Sequence, residues 1–71
     1  MTKDALQKKI SKRIVELRTQ KGWNQSDLAR ACDKDRQAIQ KMESGQVNPT
    51  IYSLHEIAKG LGVSLSELVK A

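Results

Sequence analysis

Over positions 36 to 44, the side chains of Arg36, Gln37, Gln40, Lys41 and Ser44 are spaced so that a helix gathers them on one side. At about 100° per residue they share an arc of roughly 140°, while Ala38, Ile39 and Met42 fall opposite. Arginine offers two parallel donors that match the acceptors of guanine, and glutamine offers a donor and an acceptor that match adenine. Lysine adds a mobile positive donor. A merely solvated helix face carries glutamate about as often as lysine, yet this arc has no acid from 36 to 41. The chemistry it offers is hydrogen bonding to base edges. No nucleophile paired with a base and no glycine-rich phosphate loop accompanies it, so the chain is not expected to be an enzyme.

The charge balance points the same way. Lys and Arg number 13 against 8 Asp and Glu, a net charge of +5. Residues 1–45 hold 11 of the basic and 6 of the acidic residues, an excess equal to the net charge of the whole chain. Such a surface suits a polyanion, although a solvated basic face with no partner has the same composition. The length of 71 residues fits one compact all-α domain over residues 1–71, built on Leu, Ile, Val, Ala and Met, since there is no Phe and only one Trp and one Tyr. The same length fits a whole protein or one domain of a larger one.

The elements that must position the polar arc are legible from period and caps. Leu6, Ile10, Ile14 and Leu17 form one stripe of an amphipathic helix from Asp4 to Lys21, stopped by Gly22. Asn24 then caps a second helix, Gln25 to about Cys32, with Asp27 reaching back and Trp23 stapled onto Leu28. Asp33-Lys34-Asp35 breaks the chain, and Asp35 caps a third helix from Arg36 to about Ser44, stopped by Gly45. The second and third helices are joined by too few residues to lie side by side, so they must cross steeply. After the loop 46–49, Thr50 caps a fourth helix carrying Ile51, Leu54, Ile57, Ala58 and Leu61. Ser64 and Glu67 predict a capping box for a short fifth helix.

In this register the chain resembles the phage repressor and Cro type of helix-turn-helix, the XRE-type family. The resemblance runs from about Ile14 to Leu68 and rests on Arg18, Asn24-Gln25-Ser26-Asp27-Leu28-Ala29, Ile39-Gln40-Lys41-Met42-Glu43-Ser44-Gly45, Pro49 and Leu61-Gly62-Val63. It implies a five-helix, lambda-repressor-like domain that binds double-stranded DNA as a homodimer on an inverted repeat, with the third helix in the major groove and no cofactor. By position, Arg36, Gln37 and Lys41 match the base-reading residues, with Gln40 at the groove edge. Gln25 matches a phosphate contact at the start of the second helix, with Asn24 beside it, and Ser44 and Asn48 are further phosphate candidates. Lys9 or Arg13 is expected near the DNA backbone. Arg18 and Glu43 match a structural pair joining the first helix to the end of the third. The turn departs from the family pattern, with Asp33 and Lys34 in place of the usual Gly and apolar residue. Asp tolerates a left-handed backbone, and the Lys stem can lie over the core.

Other residues read as structural. Cys32, the only cysteine, falls on an inward face and excludes an internal disulfide or Cys-based zinc site. His55 has no companions at ligand spacing, so no metal is expected. Trp23 could stack on a base, but its place before a cap favours packing. Without a secretory pattern or an apolar run long enough to span a bilayer, the expected location is cytoplasmic. The expected output is transcription regulation, by repression, and dimerisation is expected through the neutral C-terminal part, with Val63, Leu65 and Val69 as candidates. Two rival readings share the fold: an antitoxin or adaptor that binds protein, and a binder of nucleic acid without sequence preference.

Overall fold

The computed structural model describes residues 2–70. Among them run five helices: α1 (Lys3–Gln20), α2 (Gln25–Cys32), α3 (Arg36–Glu43), α4 (Ile51–Leu61) and α5 (Leu65–Leu68). There is no strand among the described residues. Each helix begins at a side-chain oxygen that accepts the N–H three residues on: Thr2 from Ala5, Asn24 from Asp27, Asp35 from Ala38, Thr50 from Ser53 and Ser64 from Glu67. Each cap satisfies an otherwise orphaned donor and contributes about 1 kcal/mol. The Asn24–Asp27 box closes in both directions, the Asn24 N–H donating to Asp27 Oδ2 at 2.9 Å. The expected box at Ser64 closes in one direction only, because the Glu67 carboxylate is taken by Arg13 of α1 at 2.9 Å.

The core draws on every helix. Ile14, Leu28, Ile39, Ile57, Leu61 and Leu68 are its largest fully enclosed side chains. α2 packs against both α3 and α4, and α1 closes the bundle against α3, α4 and α5. The stripe read on α1 is shifted at its start. Leu6 is 43% exposed, Ile10 is half-buried, and Ser11 is buried with its hydroxyl donating to the Gln7 carbonyl at 2.9 Å. The first turns of α1 lie beside the loop after α3 and the start of α4, which leaves Leu6 at an open edge. Val63, Leu65 and Val69 pack partly against the core, while the most exposed large apolar side chains are Ile51 and Tyr52 at the start of α4.

The unusual turn is accommodated as its residue types allow. Asp33 takes the left-handed conformation (φ 55°, ψ 44°), and the Lys34 N–H returns to the Ala29 carbonyl at 2.9 Å, ending α2 and redirecting the chain into α3. Lys34 is half-buried, and its ammonium meets Glu56 of α4 at 2.8 Å. Cys32 is buried with its thiol 3.9 Å from the Ile57 carbonyl, and burial pushes that thiol above its ordinary value. Trp23 is half-buried against the core, with the Lys21 ammonium 5.0 Å from its ring centroid. His55 is exposed beside Tyr52, and no cluster of His, Cys, Asp or Glu among the described residues could hold a metal.

Candidate nucleic-acid interface

The face of α3 is divided as its spacing requires. Ile39 and Met42 are buried, whereas Arg36, Gln37, Gln40, Lys41 and Ser44 are all exposed. No side-chain hydrogen bond ties Arg36, Gln37, Gln40 or Lys41 to another described residue, so their polar groups are open to a ligand. Ser44 is turned back, its Oγ donating to the Lys41 carbonyl at 3.2 Å.

Behind this face lies a buried ionic node. Arg18 of α1 grips Glu43, the last residue of α3, with Nε on Oε2 at 2.6 Å and Nη2 on Oε1 at 3.0 Å. The side chains are 14% and 5% exposed. Arg18 Nη1 also donates to the Trp23 carbonyl at 2.8 Å, and Gln25 Nε2 donates to Glu43 Oε1 at 3.0 Å. The structural pair expected from the sequence is thus present. One carboxylate holds together α1, the entry to α2 and the end of α3. Breaking a buried pair of this kind leaves an uncompensated charge, which is why such pairs are sensitive to loss of one partner.

Gln25 and Asn24 sit at the start of α2. The N–H groups of Gln25 and Ser26 lie ahead of the first intrahelical bond, from the Leu28 N–H to the Asn24 carbonyl at 3.2 Å, and the partial positive charge there favours an anion. The Asn24 side-chain oxygen is committed to its cap at 2.8 Å. Asn48 is exposed on the loop after α3. That loop is fixed by Gln7, whose Nε2 donates to the carbonyls of Gly45 and Val47, each at 2.7 Å. The role of Gln7 carries no local signal in the sequence, because its partners lie about forty residues away.

Lys9 and Arg13 do not join this group. They lie with Lys12, Glu16 and Lys70, and Arg13 is tied to the α5 side of α1 by Glu67 at 2.9 Å and by Glu16 at 3.6 Å. A residue's position on α1 decides this: Arg18 reaches Glu43 of α3 and Ser11 lies beside Gly45 just beyond it, whereas Arg13 falls on a different flank and reaches Glu67 of α5.

Residues 14–68 match the family model described as helix-turn-helix. The chain belongs to this family of DNA-binding transcription regulators, which are not enzymes. It is 34% identical over 64 residues to an uncharacterized HTH-type transcriptional regulator, y4dJ, of Sinorhizobium fredii, covering 90% of this chain and 83% of that protein. Among solved structures, the restriction-modification controller protein C.AhdI from Aeromonas hydrophila superposes with a TM-score of 0.85 at 34% identity, covering 90% of this chain and 97% of that one. The restriction-modification controller protein C.Esp1396I superposes with a TM-score of 0.83 at 40% identity, covering 90% and 86%. Other relatives are longer, and the chain spans 34% and 49% of the length of two of them. No helix among the described residues is long and apolar enough to cross a membrane.

Proposed function

We propose that the chain is a sequence-specific regulator of transcription that places α3 in the major groove of an inverted-repeat operator, as a homodimer in the cytoplasm, and represses from it. The observation that carries this reading is the exposed, acid-free arc of α3, whose Arg36, Gln37, Gln40 and Lys41 have no partner among the described residues and project from a helix fixed by a buried ion pair. Arg36, Gln37 and Lys41 read base edges, and Gln40 lies at the groove edge. The phosphates are held by the start of α2, through Gln25 with Asn24, and by Ser44 and Asn48 at the end of α3 and on the loop beyond it. Lys9 and Arg13 have no part in this assignment. The dimer forms through the C-terminal half, where Val63, Leu65 and Val69 remain partly open.

Selection of bound sites from random duplex DNA tests the proposal. The expected result is enrichment of one half-site repeated with two-fold symmetry, the two centres about one helical turn apart. Failure to enrich any sequence would make the chain a nonspecific binder, and retention of a single unrepeated half-site would remove the dimer.

A further inference from the structure

The Glu43 carboxylate receives three hydrogen bonds, two from Arg18 and one from Gln25. The first two hold the fold. The third reaches a residue at the surface, and the chemistry of its two groups sets a constraint. A primary amide rotated by half a turn exchanges its nitrogen and its oxygen. An ionised carboxylate only accepts hydrogen bonds, whereas the amide nitrogen carries two N–H donors and the amide oxygen carries none. Against Glu43, therefore, one orientation of Gln25 makes a charge-assisted hydrogen bond and the other sets an amide oxygen against a buried anion. Glu43 cannot turn aside to relieve that clash, because both of its oxygens are gripped by Arg18 and its side chain is 5% exposed.

We infer that Glu43 is a positioning residue for the DNA backbone: it fixes the Gln25 amide with its nitrogen inward, so that the second N–H of that nitrogen stays available to a phosphate oxygen and the amide cannot flip. The inference rests on the assignment of Gln25 to a phosphate in the proposed function. It adds that the same carboxylate which closes the core also sets the donor at the interface. The fit of α3 against α1 and the hold of α2 on the duplex then depend on one group.

The test is a double-mutant cycle in binding to random duplex DNA, using Glu43→Gln, Gln25→Ala and the two combined, with the melting temperature of each variant followed alongside. Glu43→Gln keeps the shape of the side chain, leaves one acceptor for Arg18 and removes the full charge that dictates the amide's orientation. The expected result is a severalfold loss of affinity from Glu43→Gln when Gln25 is present and no such loss in the Gln25→Ala background. Removing a negative charge near DNA strengthens binding in both backgrounds, so that effect cancels in the cycle. For Gln25→Ala the slope of log affinity against log salt should stay the same, because Gln25 carries no charge and releases no counterion. Equal losses in the two backgrounds would overturn the inference and leave Glu43 a structural residue alone. If Gln25→Ala leaves binding unchanged, the phosphate assignment fails and the inference with it. A measurement on the unaltered protein stands apart from any folding defect: the Gln25 amide proton that faces Glu43 should lie away from its random-coil NMR shift and exchange with water more slowly than its partner on the same nitrogen. Random-coil shifts with rapid exchange of both would refute a fixed amide.

Discussion

Gly60 of α4 lies directly against Cys32 of α2: a Cβ at position 60 would overlap the Cys32 sulfur and come within 3.2 Å of the Ala31 carbonyl carbon and oxygen. The absence of a side chain lets α4 pass close to the end of α2, just before the turn into α3. Gly60→Ala should therefore destabilise the protein by about 1–3 kcal/mol, since overpacking outweighs the gain in helix propensity. Urea denaturation would measure this, and adding Cys32→Ala should recover part of the loss. A Gly60→Ala variant as stable as the parent would show that the two helices do not approach so closely.

The Arg18–Glu43 pair predicts strong coupling. Glu43→Ala alone leaves a buried guanidinium unpaired and should cost about 3–5 kcal/mol, whereas combining it with Arg18→Met should cost less than the single change. Thermal denaturation of the four proteins gives the coupling energy. Additive losses would mean that the two charges act independently.

At the turn, the prediction concerns backbone strain. Asp33 is the only non-glycine among the described residues at positive φ. Asp33→Gly should raise stability by up to about 1 kcal/mol, and Asp33→Val should lower it by about 1–2 kcal/mol, because a β-branched residue resists the left-handed region. Melting temperatures that moved the other way would show that the turn relaxes into another conformation.

Cys32 gives a prediction with a sign in pH. Burial, the largest cause, raises its thiol above the ordinary value, with Lys34 opposing and Glu56 adding to the shift. The folded state thus resists the thiolate more than the unfolded chain does. The associated stability is fully present below the ordinary thiol value of about 8.5 and is lost as pH rises towards the folded value. Relative to Cys32→Ala, which has no thiol to ionise, the parent should lose stability above that pH. Parallel stability profiles for the two proteins would contradict a buried, raised thiol.

The helix starts could be read from the sequence because caps are local: Asn24, Asp35, Thr50 and Ser64 each sit within three residues of the donor they satisfy. The left-handed Asp33 and the half-buried Lys34 follow from residue type in the same way. What could not be read depends on pairs far apart in the chain. Arg13 looked free for DNA, but its partner Glu67 is contributed by the last helix, and Glu67 left its expected capping box to meet it. Gln7 gave no sign that it pins the 45–47 loop, and Leu6 fitted the period of α1 although its turn lies at the edge of the bundle. The division of α3 into a packed and an open face was legible because it depends on helical period alone. The bond between Gln25 and Glu43 was not, because it depends on how α2 docks beside α3.

If α3 reads sequence while the start of α2 positions it, one set of competition measurements separates the two roles. Gln37 is the cleanest probe, because it is exposed, uncharged and on the open arc. Binding of Gln37→Ala and Gln25→Ala would be measured at fixed salt on the selected operator, on its single-base variants and on random duplex. Gln25→Ala should weaken all of them alike, since a phosphate contact carries no sequence information. Gln37→Ala should cost about 1–3 kcal/mol on the operator, relax preference at one base pair and leave random duplex nearly unchanged. If Gln37→Ala instead lowers binding to all three by the same factor, α3 does not read sequence through this face.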